Sequence, residues 1–469
     1  MTGVTLPDAG CVVYPQRSDS AERDRLNVWA LAWPSMVTYG AFALRQFTDT
    51  WMVGQIGTDS LAAVAASTQI LIIIHSFGEG LASSLNTCAS QGGASKGKRE
   101  YGIYCWQTIW LALFLGTIAA QLAFFAPQLM GCFGHEHSVY VQEVAYLKIA
   151  LWAMIPQFVA IALSNFFFAI RKPLIPMWIG IFILGFNFAL NRVLIFGVGD
   201  WIPAMGISGA AWGNLSSVSL QFLCLYAAFL GARRFREYRP DAPSFRWGRV
   251  CSLVRIGLYN GLIDISDILF WNIGILYFIG QFGSAHLAAA AVMATLTNVA
   301  FLPFHGVFVS VTTTVGHAAA KRQFSTVYRQ VRNARTVSLA IMGFIGAAIL
   351  YAAPMIYRYM NGDDVVWRIG QQVMPLLPFI LLFSIWSFVT DGGLNGAGDA
   401  RFTFLTVLLT NLSVIIGGGY LCTRYAPGWG SLGIWYCFLL NRAVIAILVS
   451  LRWYSGGWKR QLVATISQD

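Results

Sequence analysis

The chain has 469 residues, 57% of them hydrophobic and 11% charged, and a formal net charge of +11. A soluble domain usually carries about 25% charged residues. This composition, with a mean hydropathy of +0.61, therefore excludes an ordinary soluble enzyme and predicts an all-α integral membrane protein. Seventeen Trp, 33 Phe and 18 Tyr suit lipid-facing helices with aromatic belts at the interfaces. Eight Cys are scattered without a CxxC or any paired spacing, and read as small apolar fillers rather than a disulfide or metal framework.

In chain order, residues 1–26 are polar and charged with no apolar core, so they read as a cytoplasmic tail and not a signal peptide. Twelve apolar segments follow, at about 27–54, 60–91, 103–126, 144–170, 174–197, 206–231, 252–281, 285–319, 334–354, 370–396, 402–422 and 431–453. Several exceed the roughly 20 residues needed to cross a bilayer, which predicts tilt or bending. Basic residues cluster in alternate loops, among them Lys96, Lys98, Arg99, Arg171, Lys172, Lys321, Arg322 and Arg401. By the positive-inside rule both termini are cytoplasmic and the number of spans is even. The positive charge is then a topology signal and implies no nucleic-acid partner.

The stretch "GARRFREYRPDAPSFRWGRV" is the one long basic, Pro-containing linker. Taking 232–250 as that linker leaves a six-helix bundle at 27–231, a second at 251–453 and a cytoplasmic tail at 454–469. The two bundles read as copies. "IGTDSLAAVAA" lies over "FGSAHLAAAAV" at an offset of 226, pairing Gly57 with Gly283, and the same offset pairs Gln91 with His317. An even number of spans per copy gives both the same orientation, so their pseudo-two-fold runs along the membrane normal. Parallel repeats of this kind are a transporter architecture with sites at the repeat interface.

Charges inside the spans are the candidates for chemistry, because each costs roughly 2.5–3.5 kcal/mol by insertion scales unless paired or wet. In "LRQFTDTWMVGQIG", Arg45 and Asp49 are four apart on the first span. A carboxylate in low dielectric resists ionisation and can take a proton from one side and release it to the other. The other reading is permanent neutralisation by Arg45. In "GLYNGLIDISDILFW", Asn260, Asp264 and Asp267 share one helix face, suited to a cationic substrate or a second coupling cation. His75 and Glu79 are four apart on the second span, and the repeat sets His305 opposite Glu79, a candidate relay. Pro34 can bend the first span below Asp49. Asn187 and Asn191 share a face of the fifth span; an interhelical hydrogen bond there is worth about 0.6 kcal/mol. Phosphate loops, HExxH and nucleophile elbows are absent, so neither an enzyme nor a bound cofactor is expected.

Taken together, several pieces resemble the multidrug and toxic compound extrusion (MATE) family over about residues 27 to 453. They are "FTDTWMVGQIGTDSLAAVAAS", "SQGGASKGKREY", "FNFALNRVLIFG", "GISGAAWGN" and "LNGAGDARFTF". A departure is "FFFAIRKPLIPM", where the family usually has another Gly-rich turn. The resemblance implies a secondary antiporter that exports small organic, often cationic, compounds in exchange for protons or sodium, working as a monomer in the bacterial inner membrane. It places Asp49 at the family's first-span acid, with Asn187, Asn191 and Asn214 as its polar partners. Asn191 stands where many members have Asp, which argues against tight sodium binding. Asp267 falls on an acid that some members use in the second bundle, while its tenth-span companion falls near Ser384. The superfamily also holds flippases for lipids or lipid-linked precursors, and Arg45, Arg192 and Arg442 keep that reading open.

Overall fold

The computed structural model describes residues 28–231, 233–238, 243–360 and 364–462. The expected N-terminal tail, part of the linker and the end of the C-terminal tail lie outside these residues.

Twelve long helical segments follow one another: α1 (Val28–Gly54), α2 (Thr58–Lys96), α3 (Arg99–Gly131), α4 (His137–Trp152 and Met154–Ala169), α5 (Leu174–Phe196) and α6 (Gly206–Gly231). The second set is α7 (Trp247–Gly280), α8 (Ser284–Ala320), α9 (Phe324–Met360), α10 (Val365–Gly396), α11 (Ala400–Tyr425) and α12 (Gly430–Ser455). Among the described residues ten helices are long and apolar enough to cross a membrane, and the two parts of α4, bent by 42°, supply an eleventh span. The remaining span, α1, has 27 residues and is made less apolar by Arg45 and Asp49. The duplication is visible in where helices begin. Thr58 and Ser284 open α2 and α8, and Leu174 and Ala400 open α5 and α11, each pair 226 residues apart.

Each half buries its own aromatic core. Leu163, Phe166, Phe167 and Phe229 pack together in the first, and Phe304, Val389 and Trp453 in the second. The first helix of each half crosses over: Val28 and Ala32 of α1 join the second core, and Leu253 and Ile256 of α7 join the first. Thus α1 lies along α8 and α7 along α2.

These crossings are backbone on backbone. A Cβ on Gly80 would run into Gly261, and one on Gly306 into Met36. Gly80 and Gly306 are 226 apart, so the same glycine of each copy makes the same close approach. Buried side chains then lock the seam toward the end where the described chain begins and ends. Thr87 Oγ1 donates to Asn395 Oδ1 at 2.9 Å, Asn395 Nδ2 to Asn260 Oδ1 at 2.9 Å, and Gln91 Nε2 to the Gly396 carbonyl at 2.7 Å. His317 Nδ1 sits 2.7 Å from the Thr313 carbonyl and so must donate to it, leaving Nε2 to accept from the Tyr101 hydroxyl at 2.7 Å. From Gly78 to Gln91 only Glu79 and Ser83 of α2 are not buried, whereas residues 58–77 alternate between buried and exposed. The halves are clasped at one end and parted at the other.

The turns at the clasped end share one closure. Lys172 N donates to the Phe167 carbonyl, Gln323 N to Ala318 and Asp399 N to Leu394, at 2.8, 2.9 and 2.9 Å. This is the six-to-one bond of a Schellman cap. Gly398 supplies the left-handed residue of the third (φ 88), but Arg171 (φ 59) and Arg322 (φ 56) supply the first two. The departure at "FFFAIRKPLIPM" therefore keeps the turn and changes the residue. Asp399, buried, accepts from Arg452 Nε at 2.8 Å and so ties the α10–α11 turn to α12.

Candidate functional site

In the first half, Asp49 on α1 faces α5 and α6. Its Oδ1 accepts from Asn191 Nδ2 at 2.5 Å; that amide also reaches Asn187 Oδ1 at 3.4 Å, and Asn187 Nδ2 donates to Ser217 Oγ at 3.2 Å. Both asparagines are fully buried, and the helical spacing of four puts them on one face. A side chain at 213 would collide with Asn191 Oδ1, so Gly213 of "AAWGNL" makes room for the pair. Arg45, four residues before Asp49, lies within electrostatic reach of that carboxylate but forms no direct ion pair with it. Its Nη1 donates to Asn214 Oδ1 at 3.1 Å and its guanidinium lies 5.3 Å from the Phe42 ring centre. Asp49, Arg45, Asn214, His75 and Tyr146 line one cavity of about 170 Å³. The four residues that the resemblance grouped are thus brought together.

His75 and Glu79 form the expected pair on α2, with Nδ1 to Oε2 at 3.5 Å, and Gln157 Nε2 approaches His75 Nε2 at 3.5 Å. A smaller cavity lined by Tyr39, Phe42, Arg45, His75 and Glu79 continues from these residues. His305 on α8 packs against Tyr39 across the seam, with ring centres 5.7 Å apart, and against Phe388 at 5.3 Å.

In the second half the face of α7 splits. Asp267 accepts from Asn411 Nδ2 at 3.4 Å and pairs with Arg442 Nη2 at 3.6 Å, while Asn441 Nδ2 donates to Asn411 Oδ1 at 2.9 Å. Asp264 is exposed toward the space between the halves, within electrostatic reach of Glu79, Asp267 and Asp391. Asn260 is instead drawn into the clasp with Asn395 and Ser83. Pro34 is buried within an unbroken α1, one turn before Thr38, whose hydroxyl donates to the Pro34 carbonyl at 2.9 Å. The helix that carries Asp267 and the helix that presents Asn411 to it each contain a π-helical turn, Phe270–Leu276 in α7 and Asn411–Gly417 in α11, a feature frequent at functional sites.

Asn411, Asn441 and Asp391 are not among the residues expected from sequence, and Arg442 is expected there only as a cation for a lipid-linked anion, not as the partner of Asp267. One signal was available: "FALNR" at 188–192 recurs as "FLLNR" at 438–442, and each Asn-Arg pair borders an acid of its own half. Asp391 carries no such mark.

Two homologous six-helix bundles, clasped at one end and each holding an acid among polar side chains, define a duplicated membrane transporter. The MatE family profile matches residues 34–193 and 267–421, one stretch in each bundle and well over half of the chain. The chain belongs to the MatE family. It is 26% identical over 455 residues to a probable multidrug resistance protein NorM of Mesorhizobium japonicum, covering 93% of this chain and 96% of that one. A protein of the same description in Bradyrhizobium diazoefficiens is 24% identical over 443 residues, covering 90% and 91%. In fold the chain resembles a MATE protein crystallised in its straight conformation (TM-score 0.83, 18% identity, covering 94% of this chain and 97% of that one). It also resembles a MOP superfamily transporter from Pyrococcus furiosus whose binding pocket is described as reversed in polarity (TM-score 0.81, 18% identity, covering 94% and 96%).

Proposed function

We propose that this protein is a multidrug efflux antiporter of a bacterial inner membrane, with both termini cytoplasmic, that exports small organic cations against an inward flow of protons. The observation that carries the reading is the holding of Asp49 by asparagines rather than by Arg45. A carboxylate held by neutral donors can exchange a cation, whereas one locked to a guanidinium cannot do so without first breaking the pair. Protons are favoured over sodium because Asn191 replaces a formal negative charge in the cluster, and sodium prefers several hard anionic oxygens.

The clasp closes the cytoplasmic end, so the parted end opens outward. Glu79 and Asp264 lie within electrostatic reach of each other beside the space between the bundles, carboxyl groups that a cationic substrate would favour in their charged form. The alternative of a lipid-linked anion rests on Arg45, Arg192 and Arg442; of these Arg442 pairs with Asp267, while Arg45 donates to Asn214 and Arg192 stacks on the Phe196 ring at 4.9 Å. Protonation of Asp49 would relax its bonds to Asn191 and alter how α1 sits against α5, and α1 reaches into the other half through Gly306. The protein is proposed to work as a monomer, since both coupling clusters lie within one chain.

The test is export of a fluorescent organic cation from proteoliposomes under imposed pH or sodium gradients. The reading expects export to follow the pH gradient and to fall by roughly 10²-fold in Asp49→Asn. Full gradient-driven export by that variant, or export driven by sodium alone, would overturn it.

A further inference from the structure

The eight cysteines show no pairing in sequence, yet the turn between α11 and α12 brings two of them together. Cys422 Sγ and Cys437 Sγ lie 3.7 Å apart. The packing around them is made for two sulfurs. A Cβ on Gly418 would come within 3.0 Å of Cys437 Sγ, and one on Gly433 within 3.4 Å of Cys422 Sγ. Each thiol therefore occupies space that a glycine on the facing helix leaves empty. No side chain stands between them, and closing to the roughly 2.05 Å of a disulfide asks for a movement of about 1.7 Å.

We propose that Cys422 and Cys437 form a reversible disulfide joining α11 to α12. The pair lies toward the end of the bundle away from the termini. Tyr420, Tyr425, Trp429 and Tyr436, all exposed, surround that level as an interfacial belt does, within reach of water. This siting rests on the orientation proposed above, which puts the pair on the extracytoplasmic side, where disulfides persist. The oxidant is a small-molecule or protein disulfide. One cysteine thiolate attacks it to give a mixed disulfide and release one thiol. The second cysteine then displaces the other thiol, so that two S–H bonds are lost, one S–S bond forms, and the oxidant is reduced to two thiols.

The bond has a functional consequence. Cys437 lies one helical turn from Asn441, and Cys422 follows the π-helical turn that begins at Asn411. Oxidation fixes the separation of the two helices that present Asn411, Asn441 and Arg442 to Asp267, and so slows any cycle in which they part.

The experiment uses the full chain in right-side-out vesicles, exposed either to glutathione disulfide, which does not cross the membrane, or to diamide, which does. Free thiols are then alkylated, and digests are analysed by mass spectrometry alongside transport assays. The expected result is a Cys422–Cys437 linked peptide with both oxidants, removed by dithiothreitol. Transport should fall several-fold on oxidation and recover on reduction, while Cys422→Ser and Cys437→Ser become insensitive. Complete alkylation of both cysteines after both treatments would overturn the proposal. A linked peptide with diamide only would retain the bond and overturn the orientation. An unchanged transport rate in fully linked protein would overturn the functional consequence.

Discussion

The two halves of the molecule hold their acids differently. Asp49 rests among neutral amides, with its nearest arginine turned to Asn214. Asp267 has an arginine of its own, brought from α12 and not from its own helix, together with Asn411. The same duplicated scaffold thus holds one acid by neutral amides, with an arginine near it but unpaired to it, and the other by a direct ion pair. The difference teaches that duplication here kept the frame while the partners of the acids diverged, and under the proposed antiport it would give the two acids unequal parts in coupling.

The largest expected effect tests that inequality directly. Asp49→Asn should lower pH-driven export by roughly 10²-fold, the lower range for removing a positioned proton-transfer group. Asp267→Asn should cost less than about tenfold, because Arg442 already answers its charge. Initial rates in proteoliposomes decide this, and equal losses would erase the distinction.

Next come the crossings that the halves share. Gly80→Ala and Gly306→Ala each force a methyl group into opposing backbone, an overpacking that costs about 1–3 kcal/mol. Because the two positions are repeat equivalents, both should shift the protein away from the clasped state to a similar degree. Distances between spin labels across the seam measure it, and an effect at one glycine alone would show that the halves do not move as equivalents.

Arg442→Gln sharpens the comparison by making the second site resemble the first. Asp267 then loses its counter-charge, and Asp267→Asn should matter more in that background, with a coupling of about 0.5–3 kcal/mol in a double-mutant cycle. Strict additivity in transport rates would mean that the ion pair does not govern Asp267.

The smallest effect lies outside the spans, where the linker is strapped to the first half. Lys98 Nζ donates to Glu237 Oε2 at 2.8 Å, a bond that raises the lysine above its ordinary value. A raised lysine stabilises the folded chain below its unfolded value and loses that contribution as pH climbs through the folded one. On the alkaline side, the strap should therefore loosen once the solution is strongly alkaline. Proteolysis at the linker, followed against pH, should show protection lost on the alkaline side and shifted toward neutrality in Glu237→Gln. An unchanged profile in that variant would detach the linker from Lys98.

Much of this architecture is legible in the chain. Span limits follow from apolar runs bounded by glycine and basic loops, and the offset of 226 predicts which helices begin together. Asp49 is legible as a charge inside a span and the shared face of Asn187 and Asn191 follows from their spacing, but that these asparagines belong with Asp49 comes from the family resemblance alone. Partners from distant helices are not legible. That Arg45 turns to Asn214, that Asn260 joins the clasp, and that Arg442 reaches Asp267 depend on rotamers and helix rotation, which spacing along one helix does not fix. The crossings at Gly80 and Gly306 are hidden for a related reason, since a glycine inside a span reads the same whether it faces lipid or another backbone. The thiol pair escapes notice because its spacing of fifteen is meaningful only once the turn between α11 and α12 is known.

Arg171 and Arg322 carry a final consequence. Each accepts a left-handed backbone, a conformation costing roughly 1–2 kcal/mol for a residue with a Cβ, at a place where glycine would reverse the chain without strain. A glycine there would bring no charge. By using arginine, the chain puts a fixed positive charge on the residue that reverses it, and Arg171 holds that charge within electrostatic reach of Tyr101 and His317, so a change that relaxes the turn also alters the charge beside that pair.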